Sequence, residues 1–230
     1  MYRKYLNARS PLRLLEKGLH GGLGAGNVGA LVAGAGIGKS AFLVGVATDE
    51  LLRGGTVLHV SLRHTVSHVK SYYDAVYAAL AKSTKLEDAA VTHVEIDGHR
   101  RIRAYGVGEF DVTRLSEAVK LETESGAAPS IVVIDGLDTV DLVPDGLAQL
   151  RAFAAEKGIE IWLTLDADDE AEGAHLPALL ADQERSLAVV LTAEPDGAEV
   201  ALRAVKDHDK ADLQNLHVAL DPKTLLVVRH

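Results

Sequence analysis

Residues 33–40 read AGAGIGKS, from Ala33 to Ser40, and this stretch decides how the rest of the chain folds. It follows an apolar run at 28–32 and precedes a helix-forming segment that starts at Ala41, so the pattern predicts a strand, a loop and a helix in succession. In that setting the small residues allow successive backbone N–H groups to close around phosphate oxygens, and the helix N-terminus adds partial positive charge. The stretch therefore predicts a phosphate-binding loop.

The polar residues of this loop would complete a nucleotide site. Lys39 supplies a full positive charge for phosphate oxygens, and Ser40 supplies a hydroxyl for Mg²⁺. The predicted backbone cradle consists of Gly34, Ala35, Gly36, Ile37 and Gly38. The pattern G-x-x-x-x-G-K-[ST] is broken at Ala33, where alanine replaces a glycine that would tolerate positive φ better. The alternative, a glycine-rich turn with an incidental Gly-Lys-Ser, is disfavoured by the flanking strand and helix.

Composition limits the class of protein. The chain has 230 residues with 47% hydrophobic content, which suits one well-buried domain. A net charge of -9 opposes non-specific attraction to nucleic acid or to an anionic membrane. No apolar run approaches the roughly 20 residues that cross a bilayer, and no signal-type core follows the start, so we expect a cytoplasmic protein without a membrane segment. The chain has no cysteine, which excludes disulfides, and its ten histidines lack a spacing such as H-E-x-x-H, so no zinc site is predicted.

Residues 1–20 form a locally basic leader segment before a domain that spans 21–230. The segment contains one acidic residue, Glu16, and five basic residues, namely Arg3, Lys4, Arg9, Arg13 and Lys17. The segment could be a partner-binding arm. The helical spacing of its leucines favours packing onto the core instead, and these leucines are Leu12, Leu14, Leu15 and Leu19.

Strand and helix patterns alternate through most of the chain, which predicts an α/β fold with a mostly parallel sheet. Predicted helices lie at 41–52, 65–82, 111–124 and 147–156, and strands at 27–33, 56–62, 131–135 and 159–165. A further strand is predicted at 91–96, followed by a basic turn at 97–103 that either contacts a phosphate or an acidic neighbour or is solvated. Four short C-terminal strands, at 187–192, 198–206, 215–220 and 225–228, suit antiparallel hairpins.

The second half of the predicted nucleotide site is Asp135. It ends the most apolar strand pattern in the sequence, IVVID at 131–135. Open parallel sheets place their ligands at the carboxyl ends of strands, and a carboxylate there holds the metal together with the loop hydroxyl. We therefore predict that Ser40 and Asp135 hold Mg²⁺ while Lys39 and the loop bind the phosphates of a nucleotide.

Together these segments resemble the RecA-like P-loop ATPases, and within them the branch that includes KaiC, RadA and the DnaB-type helicases. The resemblance covers about 15–230 and rests on the glycines at 21–26, the loop AGAGIGKS, the strand VLHVSL, IVVIDGLDTV and the closing VALRAVKDH. It implies a three-layer α/β/α fold with a mostly parallel central sheet and a C-terminal antiparallel hairpin extension. It also implies ATP and Mg²⁺ as cofactors and a homo-oligomer assembled through the nucleotide interface.

Two positions depart from what the resemblance implies. Arg63 stands where the family keeps a glutamate that orients the attacking water, and an arginine stays protonated and cannot act as a base. The family presents a Lys-x-Arg pair to the neighbouring subunit; here Lys206 remains as a trans-acting candidate, but His208 replaces the arginine. The leading hypothesis is therefore an ATP-binding switch with little or no hydrolysis, at most a weak ATPase. With both positions altered, a monomer or dimer stays open beside the homo-oligomer.

Two alternatives remain. An active ATPase would need a base from elsewhere, such as Glu50, Asp138 or a glutamate across a subunit interface. A DNA-handling motor would grip DNA with the loops after the strands at 131–135 and 159–165. Those loops are acidic, so we expect no nucleic-acid binding through them; the acids are Asp138, Asp141, Asp145, Asp166, Asp168, Asp169, Glu170 and Glu172.

Overall fold

Apolar strands and amphipathic helices alternate along the chain, and the strands pair into one sheet. The computed structural model describes residues 3–106, 108–142, 144–167 and 177–230. The helices are α1 (Arg3–Arg9), α2 (Leu12–Gly18), α3 (Lys39–Arg53), α4 (Val66–Thr84), α5 (Ala89–His99), α6 (Val112–Glu124) and α7 (Gly146–Lys157). The strands are β1 (Val28–Ala33), β2 (Val57–Ser61), β3 (Arg100–Ala104), β4 (Ile131–Asp135), β5 (Glu160–Asp166), β6 (Val189–Asp196), β7 (Glu199–Asp207), β8 (Val218–Leu220) and β9 (Val227–Arg229). Two short 3-10 helices, Thr139–Leu142 and Ala178–Ser186, complete the described elements.

The sheet has nine strands in the order β3-β2-β4-β5-β1-β6-β7-β8-β9. All pairs from β3 to β6 are parallel, and the pairs from β6 to β9 are antiparallel. The change of direction follows from chain length, because parallel strands need long crossovers whereas β6 and β7 are joined by a two-residue turn that starts at Gly197 with φ 62°. The predicted fold class, a mostly parallel α/β sheet with a C-terminal antiparallel extension, is confirmed.

Helices cover both faces of the sheet and give the three layers. One hydrophobic cluster joins the sheet to α1, α2, α3, α4 and α5, and the other joins it to α6 and α7. Strand β1 lies between these clusters, and all six of its residues are buried. A strand covered on both faces must be apolar at nearly every position, which explains the continuous run VGALVA.

The sequence prediction was wrong for residues 91–103. The segment predicted as a strand at 91–96 lies within helix α5, and the predicted turn at 97–103 contains most of strand β3. The β-branched residues misled the prediction, because Thr92 and Ile96 are buried one helical turn apart while Val91 and Val94 are exposed. Strand β3 forms at the sheet edge beside β2, where Glu122 neutralises two of its arginines: Arg101 at 3.1 Å and Arg103 at 2.7 Å.

The N-terminal segment packs onto the main body, as the leucine spacing predicted. Leu12, Leu15 and Leu19 are buried in the core cluster beside α3. Arg13 contacts Asp49 of α3, and Arg53 lies 2.9 Å from the same carboxylate. The division of the chain at residue 20 stays a prediction. Among the described residues, no helix combines the length and apolar character that crossing a membrane requires.

Candidate functional site

The glycine-rich loop has the backbone that the sequence predicted between a strand and a helix. β1 ends at Ala33, and α3 begins at Lys39 directly after Gly38, whose φ is 105°. Gly36 also has a positive φ, 76°, so glycine is required at both positions. Ala33 has no positive φ and is paired within the sheet, which explains why alanine is accepted where the motif has glycine.

A cleft of about 360 Å³ lies beside this loop, at the carboxyl ends of the parallel strands. The structure brings the predicted Lys39, Ser40 and Asp135 together around it. The remaining lining residues are Ala35, Gly36, Gly38, Arg63, His64, Tyr72, Gly136, Leu137, Thr164, Asp166 and Leu225. Gly34 and Ile37 belong to the same loop but do not line the cleft.

Lys39 uses all three of its N–H donors within the chain. Its Nζ donates to the carbonyl oxygens of Ala33 at 2.8 Å and Gly34 at 2.7 Å, and it lies 2.8 Å from Asp166 Oδ1. The lysine side chain is 13% exposed, so it reaches the cleft from a largely covered position. An anion bound here must therefore replace Asp166 as the partner of Lys39.

Asp166 bridges two cations at the mouth of the cleft. Its second oxygen lies 2.9 Å from Arg63. Partial burial would raise the pKa of Asp166, but the hydrogen bonds and charges of Lys39 and Arg63 outweigh it and lower the pKa below the usual value. Gly136 makes this arrangement possible, because a Cβ there would lie 2.7 Å from the Arg63 side chain.

Asp135 lines the same cleft as Ser40. It ends β4 beside Ser61 of β2, is 6% exposed, and accepts a hydrogen bond from Thr164 Oγ1 at 3.3 Å. A carboxylate and a hydroxyl are oxygen ligands of the kind that Mg²⁺ prefers, and the remaining positions of its octahedron are normally filled by water and phosphate. The donor set therefore fits Mg²⁺.

The predicted trans-acting residues point into their own chain. Lys206 Nζ donates to the Glu184 carbonyl oxygen at 2.8 Å. His208 contacts the buried Asp207 through Nδ1 at 2.7 Å and the Leu23 carbonyl oxygen through Nε2 at 3.1 Å. Both ring nitrogens thus lie at hydrogen-bond distance from an oxygen atom of the same chain. In this arrangement neither Lys206 nor His208 lines the cleft beside residues 33–40.

The alternative bases also lie away from the cleft. Glu50 accepts a hydrogen bond from Ser130 at 2.6 Å and lines a different cavity with Arg53 and Glu160. Asp138 accepts from the backbone of Val140 and does not line the cleft. Of the acidic loop, residues 168–172 lie outside the described residues, and Asp166 alone can be placed.

Sequence reasoning missed Thr164, Tyr72 and His64 as lining residues of the cleft, and it considered Asp166 only as one acid of an acidic loop. Thr164 and Asp166 stand at the carboxyl end of β5, which is the parallel neighbour of β1. The rule that open sheets bind ligands at this edge would have selected them if the strand order had been known. His64 carries no such signal, since it follows β2 in an irregular segment.

Comparison with known proteins gives a distant relative. No protein-family model matches the chain. The chain is 25% identical to a DnaB-like replicative helicase of Enterobacteria phage T4 over 229 aligned positions, which cover 83% of this chain and 47% of the helicase. The chain thus spans about half the length of the curated relative that it matches. The chain is thus similar, at a distance, to a DnaB-like replicative helicase, and its sheet is mostly parallel.

Proposed function

We propose that this chain binds ATP with Mg²⁺ in the cleft beside residues 33–40, with little or no hydrolysis, and acts as a regulatory or assembly switch. The observation that carries the proposal is the convergence of Lys39, Ser40 and Asp135 on one cleft of about 360 Å³ at the carboxyl edge of the sheet. The family resemblance to the KaiC, RadA and DnaB-type branch supports the same nucleotide.

Each residue has a defined task in binding. The backbone N–H groups at the start of α3 face the phosphate oxygens, with Gly36 and Gly38 giving the loop its turn. Lys39 exchanges the Asp166 carboxylate for a phosphate oxygen. Ser40 and Asp135 hold the cation, and Thr164 fixes the orientation of the Asp135 carboxylate. The bound cation would neutralise phosphate charge.

The same geometry argues for slow turnover. Arg63 follows β2 and lines the cleft where the family resemblance implies a glutamate, and its guanidinium cannot accept a proton from water. His208 is held by Asp207 and Leu23 instead of extending outward. In other P-loop systems the loss of a trans-acting arginine lowers the rate by about 10³ to 10⁵.

A switch follows from the exchange at Lys39. When phosphate takes the lysine, Asp166 keeps Arg63 as its remaining partner, so the end of β5 and the segment after β2 change their contacts together. Nucleotide at 100 times its Kd would stabilise the folded state by about 2.7 kcal/mol, which is enough to bias assembly or partner binding.

A thermal-shift titration with ATP and Mg²⁺ tests binding. The wild type is expected to gain stability with ligand, and Lys39→Ala is expected to lose most of that gain. Lys157→Ala is the matched control, because Lys157 is a partly exposed lysine at the end of α7 that pairs with Glu156. The proposal fails if the wild type shows no shift or if Lys39→Ala shows the same shift. Mass spectrometry of nucleotide retained through purification then separates ATP from ADP.

The similarity to a replicative helicase favours a second candidate, an active motor that handles nucleic acid. Phosphate release at about one per second that disappears in Lys39→Ala would support it over the switch. Fluorescence anisotropy with single-stranded DNA tests the nucleic-acid part. Because Asp138 and Asp141 are exposed after β4, we expect no binding that survives physiological salt.

A further inference from the structure

A second cleft of about 260 Å³ adjoins the nucleotide cleft and contains three histidines. We call it the histidine cleft, and it is lined by Ser40, His59, His64, His68, Val69, Tyr72 and Asp135. Four of these residues also line the nucleotide cleft. Nothing in the proposed ATP site needs three imidazoles, so they require an explanation of their own.

His64 and His68 are four residues apart in the segment HTVSH at 64–68. Thr65 caps helix α4 by accepting a hydrogen bond from the His68 N–H, and the two imidazole rings stack with centroids 4.4 Å apart. His64 immediately precedes the N-cap residue and His68 lies in the first turn of α4, so the two imidazoles meet at the start of the helix. Both are exposed, so their rings can turn without disturbing the core. Sequence reasoning missed the pair because it sought a glutamate after the first histidine.

His59 lies on β2 and is 1% exposed. Its Nδ1 is 3.1 Å from the Tyr73 hydroxyl, while Nε2 is buried and has no hydrogen-bond partner among the described residues. A buried imidazole oriented through one nitrogen and unpartnered at the other is arranged as a metal ligand is.

We propose that His59, His64 and His68 bind a divalent transition-metal ion such as Zn²⁺ or Co²⁺ in the histidine cleft, which the Asp135 carboxylate also faces. Imidazole nitrogens select such ions, whereas Mg²⁺ prefers oxygen ligands, so this site differs from the predicted Mg²⁺ site. Among the described residues, the ring nitrogens of the three histidines do not all lie within 4.8 Å of one another. The exposed side chains of His64 and His68 would therefore rotate toward His59 to reach a Zn–N distance of about 2.1 Å. Because the two clefts share Asp135 and Ser40, metal here would alter nucleotide binding.

A rival cluster lies on α4 and α5, where ligand atoms of Asp74, His93 and Asp97 are within 4.8 Å of one another. The carboxylates of this cluster already have positively charged or histidine partners within the chain. His93 contacts Asp74 at 3.1 Å, and Asp97 lies 2.6 Å from Arg100 and 3.8 Å from Lys70. A cation there would meet two positive side chains, so this cluster carries no proposal and supplies the control instead.

The test is a calorimetric titration of the untagged chain with Zn²⁺, without nucleotide, and a parallel titration with Co²⁺ followed by visible absorption. We expect one strong site per chain. His59→Gln, His64→Gln and His68→Gln should each weaken Zn²⁺ binding by at least about tenfold, and the double variant of His64 and His68 should abolish it. His93→Gln is expected to bind as the wild type does.

Circular dichroism of each variant shows whether it is folded, and His64 and His68 are exposed enough that their variants keep the fold even if His59→Gln does not. Binding that is absent in the wild type, or that is lost in His93→Gln and kept in the variant lacking both His64 and His68, would overturn the proposal. Lys39→Ala should retain Zn²⁺ binding. The Zn²⁺ titration can therefore be interpreted even if the chain does not bind ATP.

Discussion

Asp166 holds the lysine that the sequence assigns to phosphate. The carboxylate lies 2.8 Å from Lys39 and 2.9 Å from Arg63, so it competes with an incoming anion for the same ammonium group. Asp166 weakens phosphate binding in two ways. Its ion pair with Lys39 must be broken, and its negative charge then repels the bound phosphates.

We predict that Asp166→Asn binds ATP–Mg²⁺ roughly three- to tenfold more tightly than the wild type, since the amide keeps the shape and removes the charge. A fluorescent-nucleotide titration measures the affinity. Asp138→Asn is the control, an exposed acid outside the cleft, and should leave the affinity unchanged. Weaker binding in Asp166→Asn would show instead that the carboxylate assists the bound state.

His59 makes stability depend on acidity. Its pKa falls from 6.5 to about 4 in the folded chain, mainly because burial disfavours the charged ring. Above pH 6.5 the His59 ring is neutral in both the folded and the unfolded chain. Between pH 6.5 and about 4, His59 is protonated in the unfolded chain but stays neutral in the folded chain, so the free energy of unfolding decreases as the pH falls. The full loss attributable to His59 is about 3 kcal/mol.

Urea unfolding of the metal-free protein across this range, in the wild type and in His59→Gln, measures that contribution. The wild type should lose more stability on acidification than the variant does, because glutamine has no proton to take up. Parallel pH profiles for the two proteins would show that His59 does not titrate in this window.

Helix α5 and strand β3 show how neighbours override local preference. The β-branched run at 91–96 favours a strand, yet a helix forms because it buries Thr92 and Ile96 and leaves the rest of the turn to solvent. The arginines at 100–103 suggest a solvated turn in the sequence. In the structure this segment forms strand β3, because it pairs with the edge of β2 and because Glu122 neutralises two of the arginines.

Gly98 gives a direct test of helix α5. It lies in the last turn, and an added Cβ would meet nothing within 4 Å. Gly98→Ala should therefore stabilise the protein by about 0.5 to 1 kcal/mol, because alanine loses less backbone freedom in a helix. Gly29→Ala is the contrast, since its Cβ would lie 2.8 Å from Trp162, and it should destabilise. Chemical unfolding measures both, and no gain from Gly98→Ala would speak against a helix there.

The N-terminal helices close one side of the whole molecule. α2 buries Leu12 and Leu15 against the cluster that holds α3, and His20 lies 2.5 Å from the buried Asp207 of β7. The start of the chain thus contacts both helix α3 and strand β7 of the C-terminal hairpin. Its basic side chains serve this packing in part, since Arg13 contacts Asp49.

Leu15→Ala tests whether this segment contributes to the stability of the whole fold. Removing a leucine that is 4% exposed should cost about 2 to 5 kcal/mol in the free energy of unfolding. Leu121→Ala, at a position 56% exposed on α6, should change it by less than about 0.5 kcal/mol. In both variants we expect the N-terminal segment and the rest of the chain to unfold in one cooperative transition. If Leu15→Ala were as stable as the wild type, the N-terminal segment would not contribute to the stability of the fold.

Local signals in the sequence determined the loop AGAGIGKS, the strand that ends at Asp135, most of the helices and the antiparallel end of the sheet. Those features depend on hydrophobic period, glycine conformation and turn length, which neighbouring residues fix among themselves. Only the tertiary structure decided that Asp166 meets Lys39, that His208 turns inward and that residues 91–99 are helical. The first depends on the pairing of β5 with β1 across a large separation in sequence. The second depends on the contacts of His208 with Asp207 and Leu23, and the third on the burial of Thr92 and Ile96, because side chains distant in sequence supply these contacts.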